Sequence, residues 1–265
     1  MSSVICCEDE KIYFSAEDMS VNGDERRYLY FYDLNQSANK IYSNDSSMKN
    51  IHYIFDGLVI YSRYNELNAL DLSDVTANNL TDGVSTKISD SFSEDSKTFY
   101  KDGKLYFLQE DGNGQITFCS YDLKTKPENP EKLADLNALG VSSDAETLAM
   151  NDKYALVSDK GELSLIVYGD GETTDVTIKP VNKRHLNKYI GESYTAFVDP
   201  ELSNGIVLSV EKENAVYFYS IGKKGDLASV GKTDMITDGV QTNNSLVYEI
   251  DKESETFKVY EIVGE

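Results

Sequence analysis

Leu105-Tyr106-Phe107-Leu108, the turn Asp111-Gly112-Asn113-Gly114, and Ile116-Thr117-Phe118-Cys119-Ser120-Tyr121-Asp122-Leu123 form one phrase from which the fold can be read. Two runs rich in aromatic and aliphatic residues flank a polar turn. Its Asp-Gly and Asn-Gly pairs tolerate positive φ, which predicts a β-hairpin.

The phrase recurs from end to end. Its first copy is Lys11-Ile12-Tyr13-Phe14-Ser15, a long polar loop, then Tyr28-Leu29-Tyr30-Phe31-Tyr32-Asp33-Leu34. The second is Leu58-Val59-Ile60-Tyr61-Ser62 followed by Leu67-Asn68-Ala69-Leu70-Asp71-Leu72, and the quoted hairpin is the third. The fourth joins Tyr154-Ala155-Leu156-Val157-Ser158 to Leu163-Ser164-Leu165-Ile166-Val167-Tyr168. The fifth joins Ile206-Val207-Leu208-Ser209-Val210 to Ala215-Val216-Tyr217-Phe218-Tyr219, and the sixth joins Leu246-Val247-Tyr248-Glu249-Ile250 to Phe257-Lys258-Val259-Tyr260-Glu261-Ile262. First strands return every ~40 to 50 residues, the length of a propeller blade.

Flanking strands complete the unit. A short strand precedes the hairpin, as in Ile51-His52-Tyr53-Ile54-Phe55 or Thr98-Phe99-Tyr100, and enters it through Asp56-Gly57 or Asp102-Gly103. A weaker strand follows, as in Lys40-Ile41-Tyr42 or Asp175-Val176-Thr177-Ile178, and is predicted to lie at the outer edge. Four strands per repeat make a blade, and the count comes to about twenty-three, one short of six full blades. The sixth repeat reaches Gly264-Glu265 without an outer strand, so either the last blade has three strands or the sequence ends early. The expectation is an all-β, six-bladed propeller of four-stranded antiparallel blades with an incomplete last blade, one domain over residues 1–265. Blade-length spacing argues against a pair of β-sandwiches, and solenoid repeats are usually shorter.

The strands ending in Tyr32-Asp33-Leu34, Leu70-Asp71-Leu72 and Tyr121-Asp122-Leu123, with Asp-Gly turns before Leu58 and Lys104, resemble the six-bladed propellers of the TolB and YWTD (lipoprotein-receptor-like) groups. In particular the chain is similar to propeller domains of unknown function on bacterial surface proteins. The resemblance covers nearly the whole chain and implies an extracellular or cell-surface location. The YWTD tetrapeptide is missing, and there is no Trp to supply it or a WD-repeat signature. Fold does not carry function.

Composition narrows the partners. Hydrophobic residues make up 40% of the chain, enough for a folded core. The 19 Tyr and 10 Phe suit half-buried pleated surfaces, where a flat ring packs across strands while a hydroxyl stays wet. A formal charge of -21 repels phosphate backbones and anionic headgroups, so neither nucleic acid nor a membrane surface is expected as a partner. The three cysteines, Cys6, Cys7 and Cys119, cannot all pair within the chain, and neighbours on a strand point to opposite faces, so thiols are expected. No apolar run approaches a membrane span. Met1 to Cys7 runs directly into Glu8-Asp9-Glu10 and does not read as a signal peptide, so export would need a signal or anchor outside these residues.

Chemistry-bearing residues are sparse. Histidine occurs only as His52, in a strand beside Tyr53, and His185, in the basic loop Lys183-Arg184-His185. A Ser-His-Asp triad or His-rich metal site has almost nothing to draw on, so no catalytic or metal residue is assigned and no binding residue is singled out. Glu110-Asp111-Gly112-Asn113-Gly114 has the oxygens of a calcium loop but lacks the spaced ligand series and closing Glu, and a hairpin turn explains it without an ion. Asp170-Gly171-Glu172 reads the same way. Gly222-Lys223-Lys224-Gly225 lacks the Ser/Thr and spacing of a phosphate loop.

The leading expectation is a non-catalytic binding or scaffold module. Its blade loops, the longest running from Glu17 to Arg27, would face a protein or glycan partner, with no cofactor. The alternative is a calcium-dependent hydrolase or lactonase using carboxylates in the central channel. A third reading is a sensory or regulatory domain of a larger anchored protein.

Overall fold

The computed structural model describes residues 2–8, 11–19, 25–33, 38–41, 50–55, 58–71, 84–93, 96–168, 176–182, 194–198, 205–212, 215–234, 240–243, 246–251 and 256–261. Among these, all regular structure is β.

The strands form successive antiparallel sheets, each in simple up-and-down order. The first holds β1 (Ser2–Glu8), β2 (Lys11–Met19), β3 (Glu25–Asp33) and β4 (Ala38–Ile41). The second holds β5 (Asn50–Phe55), β6 (Leu58–Arg63), β7 (Glu66–Asp71) and β8 (Val84–Ser89). The third is β9 (Phe99–Lys101), β10 (Lys104–Glu110), β11 (Ile116–Asp122) and β12 (Glu131–Asp135). The fourth is β13 (Glu146–Met150), β14 (Tyr154–Asp159), β15 (Glu162–Val167) and β16 (Thr177–Pro180). The fifth is β17 (Tyr194–Val198), β18 (Ile206–Lys212), β19 (Ala215–Ile221) and β20 (Leu227–Asp234), and the last is three-stranded: β21 (Val240–Asn243), β22 (Leu246–Asp251) and β23 (Thr256–Glu261).

The hairpins thus fall where the recurring phrase placed them, with one correction. The long loop expected from Glu17 to Arg27 is largely strand. β2 and β3 stay paired through Glu17↔Arg27, Asp18↔Arg26 and Met19↔Glu25. Acidic positions fall opposite basic ones in this register, an arrangement favourable in an antiparallel ladder that a polar-loop reading overlooks.

Turn chemistry behaves as Asp-Gly predicts. Asp102 and Gly103 have φ of 53° and 87°, and Lys160 and Gly161 have 51° and 79°. Each pair occupies the two central positions of a two-residue hairpin turn, the left-handed pattern whose twist matches that of the strands. Asp56-Gly57 lies outside the described residues.

The chain divides into two compact units: Met1–Asp95 with Gln109–Asp111 and Lys126–Pro130, and Ser96–Leu108 with Gly112–Thr125 and Glu131–Glu265. Within the second unit the fourth sheet buries both faces. Ala155, Val157 and Ile166 join Phe118, Leu136 and Met150 in one core. Tyr154, Leu156, Leu165 and Val167 join Ile206, Leu208 and Val210 in another. Alternate residues of a strand point to opposite faces, so a strand covered on both sides reads as an unbroken apolar run. That is why Tyr154-Ala155-Leu156-Val157 shows no polar alternation.

Bulges recur at one place in the repeat. The register slips between Val4 and Cys6, between Ile51 and Tyr53, and between Thr147 and Ala149, leaving Ile5, His52 and Leu148 as the extra residues. Fourth strands slip similarly at Ile88, Leu133 and Val230. A bulge sharpens local twist, which a short twisted blade exploits.

Candidate functional site

Among the described residues two sets of polar groups stand out, one at the hairpin between second and third strands and one at the opposite strand ends. In the first unit, Tyr64 and Asn65 form the tip between β6 and β7. Tyr64 is 57% exposed, the one exposed large hydrophobic side chain among the described residues, and is held at a φ of 51°. The tip is fixed from behind. Asn65 Nδ2 donates to the Asp90 carbonyl at 2.8 Å, and the Phe92 amide donates to the Asn65 carbonyl at 2.7 Å. Arg63 and Glu66 flank the tip with Nε–Oε2 at 3.8 Å, a solvent-exposed pair of small energetic weight.

The segment behind the tip is itself stitched in. Ser89 Oγ accepts from Gln109 Nε2 at 2.9 Å and from the Ser91 amide at 3.1 Å, and the Glu110 amide donates to the Ser91 carbonyl at 2.7 Å. Phe92 forms an isolated antiparallel bridge with Gln109 and meets the His52 ring edge-to-face, with centroids 5.5 Å apart.

His52 is the bulge residue of β5. The residue is half-buried, and its Nε2 is shut off from solvent and has no hydrogen-bond partner among the described residues. Burial therefore pushes its pKa down to about 4, because the charged form needs an N–H on both nitrogens. The equivalent bulges carry Ile5 and Leu148, so His52 stands at an aliphatic position of the repeat.

In the second unit the Lys160-Gly161 tip is braced by Ser142. Its amide and hydroxyl donate to the two Asp159 carboxylate oxygens at 3.0 and 2.6 Å, which holds that carboxyl below its ordinary range. At the opposite strand ends Asp122 Oδ1 accepts from the Lys124 and Thr125 amides, and the Asp122 carboxyl is lowered in consequence. Asn151 Oδ1 accepts from the Lys153 and Tyr154 amides, both at 2.8 Å. These are Asx turns, in which a side chain replaces a backbone acceptor.

An aromatic group packs above them. Phe118 stacks on Tyr168 at 5.1 Å, and the Tyr168 hydroxyl donates to the Asn151 and Tyr154 carbonyls. Burial holds the Tyr168 hydroxyl far above its ordinary range. Tyr106 is raised as well, by burial and then by the carboxylates of Asp152, Glu131 and Asp102. Lys101 Nζ reaches Asp152 Oδ2 at 3.0 Å, tying the third sheet to the turn entering β14. The Asx turns, the Ser142 brace and the Lys101–Asp152 pair each serve a turn or a junction between elements.

The residues singled out in the sequence are scattered. Glu110 at the end of β10 and Asp111, Gly112 and Asn113 in the turn toward β11 are all exposed. Among the described residues no three His, Cys, Asp or Glu side chains come together to hold a metal ion. Gly222-Lys223-Lys224-Gly225 is a tight turn, with the Gly222 amide on the Asp226 carbonyl at 2.7 Å and the Gly225 amide on the Gly222 carbonyl at 2.8 Å. The Asn182 amide in turn donates to the Gly225 carbonyl at 2.7 Å, so the motif docks backbone on backbone. Cys119 is buried, its thiol facing the Thr117 carbonyl and pushed up to about 12 by burial, which leaves it inert as a nucleophile. His185 and Asp170-Gly171-Glu172 lie outside the described residues, as do the side chains of Cys6 and Cys7. The Tyr64 tip went unremarked in the sequence, although Arg63-Tyr64-Asn65-Glu66 between two apolar runs marks a turn.

No protein-family model and no curated protein matches the chain. Among solved structures it is similar to an ulvan lyase described as a new family of polysaccharide lyase, at 10% identity, covering 98% of this chain and 78% of that one, with a TM-score of 0.51. It is also similar to Hsv2 of Kluyveromyces lactis (10% identity, 97% and 83% covered, TM-score 0.49). Uncharacterized protein lmo1340 of Listeria monocytogenes matches at 10% identity, 96% and 81% covered, TM-score 0.47. The structures it resembles are β-propeller-type folds, and at such identity the likeness speaks for the fold alone.

Proposed function

We propose that residues 1–265 form a single six-bladed β-propeller of the TolB/YWTD type, its last blade three-stranded. In this reading it acts as a non-catalytic module that presents its hairpin tips to a protein or glycan partner. The observation that carries this reading is the Tyr64-Asn65 tip, where an exposed tyrosine with a left-handed backbone stands next to Asn65, itself fixed by hydrogen bonds from behind. A tyrosine has only two side-chain torsions, so one carried on a fixed turn loses little entropy on binding, the property that makes it an effective contact residue.

The test is an array of glycans and peptides probed with the protein and with Tyr64→Ala. The expected result is at least one ligand whose binding is weakened about tenfold or more in the variant, with the thermal midpoint unchanged. Ligands indifferent to Tyr64 would overturn the role given to this tip. Calcium-dependent hydrolysis of an array substrate would instead favour an enzyme with carboxylates in the central channel.

A further inference from the structure

We propose that His52 is an acid-sensitive latch for the Tyr64-Asn65 tip: protonating its ring loosens the Ser89–Phe92 segment and releases the tip that this segment holds. Nε2 is shut off from solvent with no acceptor in reach among the described residues, so the neutral ring fits and the doubly protonated ring does not. The ring lies edge-to-face against Phe92 at 5.5 Å, and a new charge there must either break that contact or draw in water.

Phe92 is where the connections converge. Its amide is bonded to the Asn65 carbonyl at 2.7 Å, two residues before it Asp90 receives Asn65 Nδ2, and opposite it stands Gln109, whose side chain holds Ser89. Moving Phe92 therefore disturbs both bonds that fix the tip, together with the Glu110 amide bond to Ser91.

The titratable and charged groups on the elements against His52 are Tyr61 and Arg63 on β6, Asp90 in the Phe92 segment, Glu110 where β10 joins it, and Cys6, Cys7 and Glu8 on β1. Burial is what lowers the His52 pKa. The position argues in the same direction. Among the described residues the two other bulges of this kind carry Ile5 and Leu148, which cannot take a proton, so the response belongs to this sheet and not to the others.

The experiment is amide exchange on the full chain at about pH 7 and about pH 4.5, each corrected for the intrinsic exchange rate, in the wild type and in His52→Leu. The expected result is a fall of about tenfold or more in protection of the Phe92 and Glu110 amides of the wild type, with little change in the variant. The Leu136 and Val181 amides, bonded to Ile116 and Leu163 carbonyls, serve as internal references and are expected to hold. Unchanged protection at Phe92, an equal loss in the variant, or a simultaneous loss at the reference amides would each overturn the latch.

Should His52→Leu fail to fold, the ring resonances of wild-type His52 decide. Their titration must share its midpoint with the loss at Phe92, and a midpoint near the ordinary 6.5 overturns the proposal. Because the readout is exchange and not binding, the latch can fail while the display role of the tip survives, and the reverse.

Discussion

At the scale of single residues, local chemistry decides more than residue type. Gly225 has a φ of 80°, and a β-carbon there would run into the Pro180 carbonyl oxygen. Gly225→Ala is therefore expected to cost about 2–4 kcal/mol in a denaturant melt, well above an ordinary surface change. Lys160 offers the reverse case, since a long side chain sits at a φ of 51° where Asn is better tolerated. Lys160→Asn should raise stability by about 0.5 kcal/mol or more in the same melt. His52 brings a pH dependence whose sign follows from its pKa of about 4, against 6.5 in the unfolded chain. Between those values the unfolded chain takes the proton first, so the folded state loses stability as pH falls through 6.5 toward 4. The loss is at most about 3 kcal/mol, and the difference between wild type and His52→Leu melted across that window isolates it. None of the three was legible from sequence, because a glycine's neighbour, a lysine's φ and the burial of one nitrogen are set by contacts distant in the chain.

At the scale of elements, the hairpins were legible and the edges were half so. Asp102-Gly103 marks its turn by composition, since few residues share the left-handed region at both central positions. The outer strands carry a signal of another kind. β4, β8, β12, β16 and β20 each contain one lysine: Lys40, Lys87, Lys132, Lys179 and Lys232. A charge on an edge strand disfavours pairing with another sheet, and β23, at one edge of the three-stranded sheet, also carries a lysine, Lys258. Replacing Lys87, Lys132 and Lys179 together by Val is expected to leave the fold intact and to produce concentration-dependent association, seen by light scattering. A triple variant that scatters no more than the wild type at high concentration would show that the edges are protected by other means. The paired extension of β2 and β3 escaped the sequence reading because Glu17, Asp18, Arg26 and Arg27 look like loop residues until their register sets acid opposite base.

At the scale of the whole molecule, charge is the dominant global property. A net -21 on 265 residues is self-repulsive, and salt screens exposed charges beyond a Debye length of about 8–10 Å. The thermal midpoint is therefore expected to rise with sodium chloride, and a flat response would mean that the acidic groups are well separated or locally compensated. The sequence by itself determined the repeat, its hairpins, the all-β class and the near-absence of histidine, because strand periodicity and turn chemistry are properties of neighbours along the chain. It left open whether any charged or aromatic group stands in a site. Only the tertiary structure decided that Tyr154-Ala155-Leu156-Val157 divides its side chains between two cores, and that Gly222-Lys223-Lys224-Gly225 is a docked turn. It also joined His52, Phe92 and Asn65, which are far apart in sequence, behind one exposed tyrosine. The physical reason is that burial and hydrogen-bond closure depend on which elements meet, and a repeating pattern, being nearly the same in every sheet, does not say where one sheet departs from the rest.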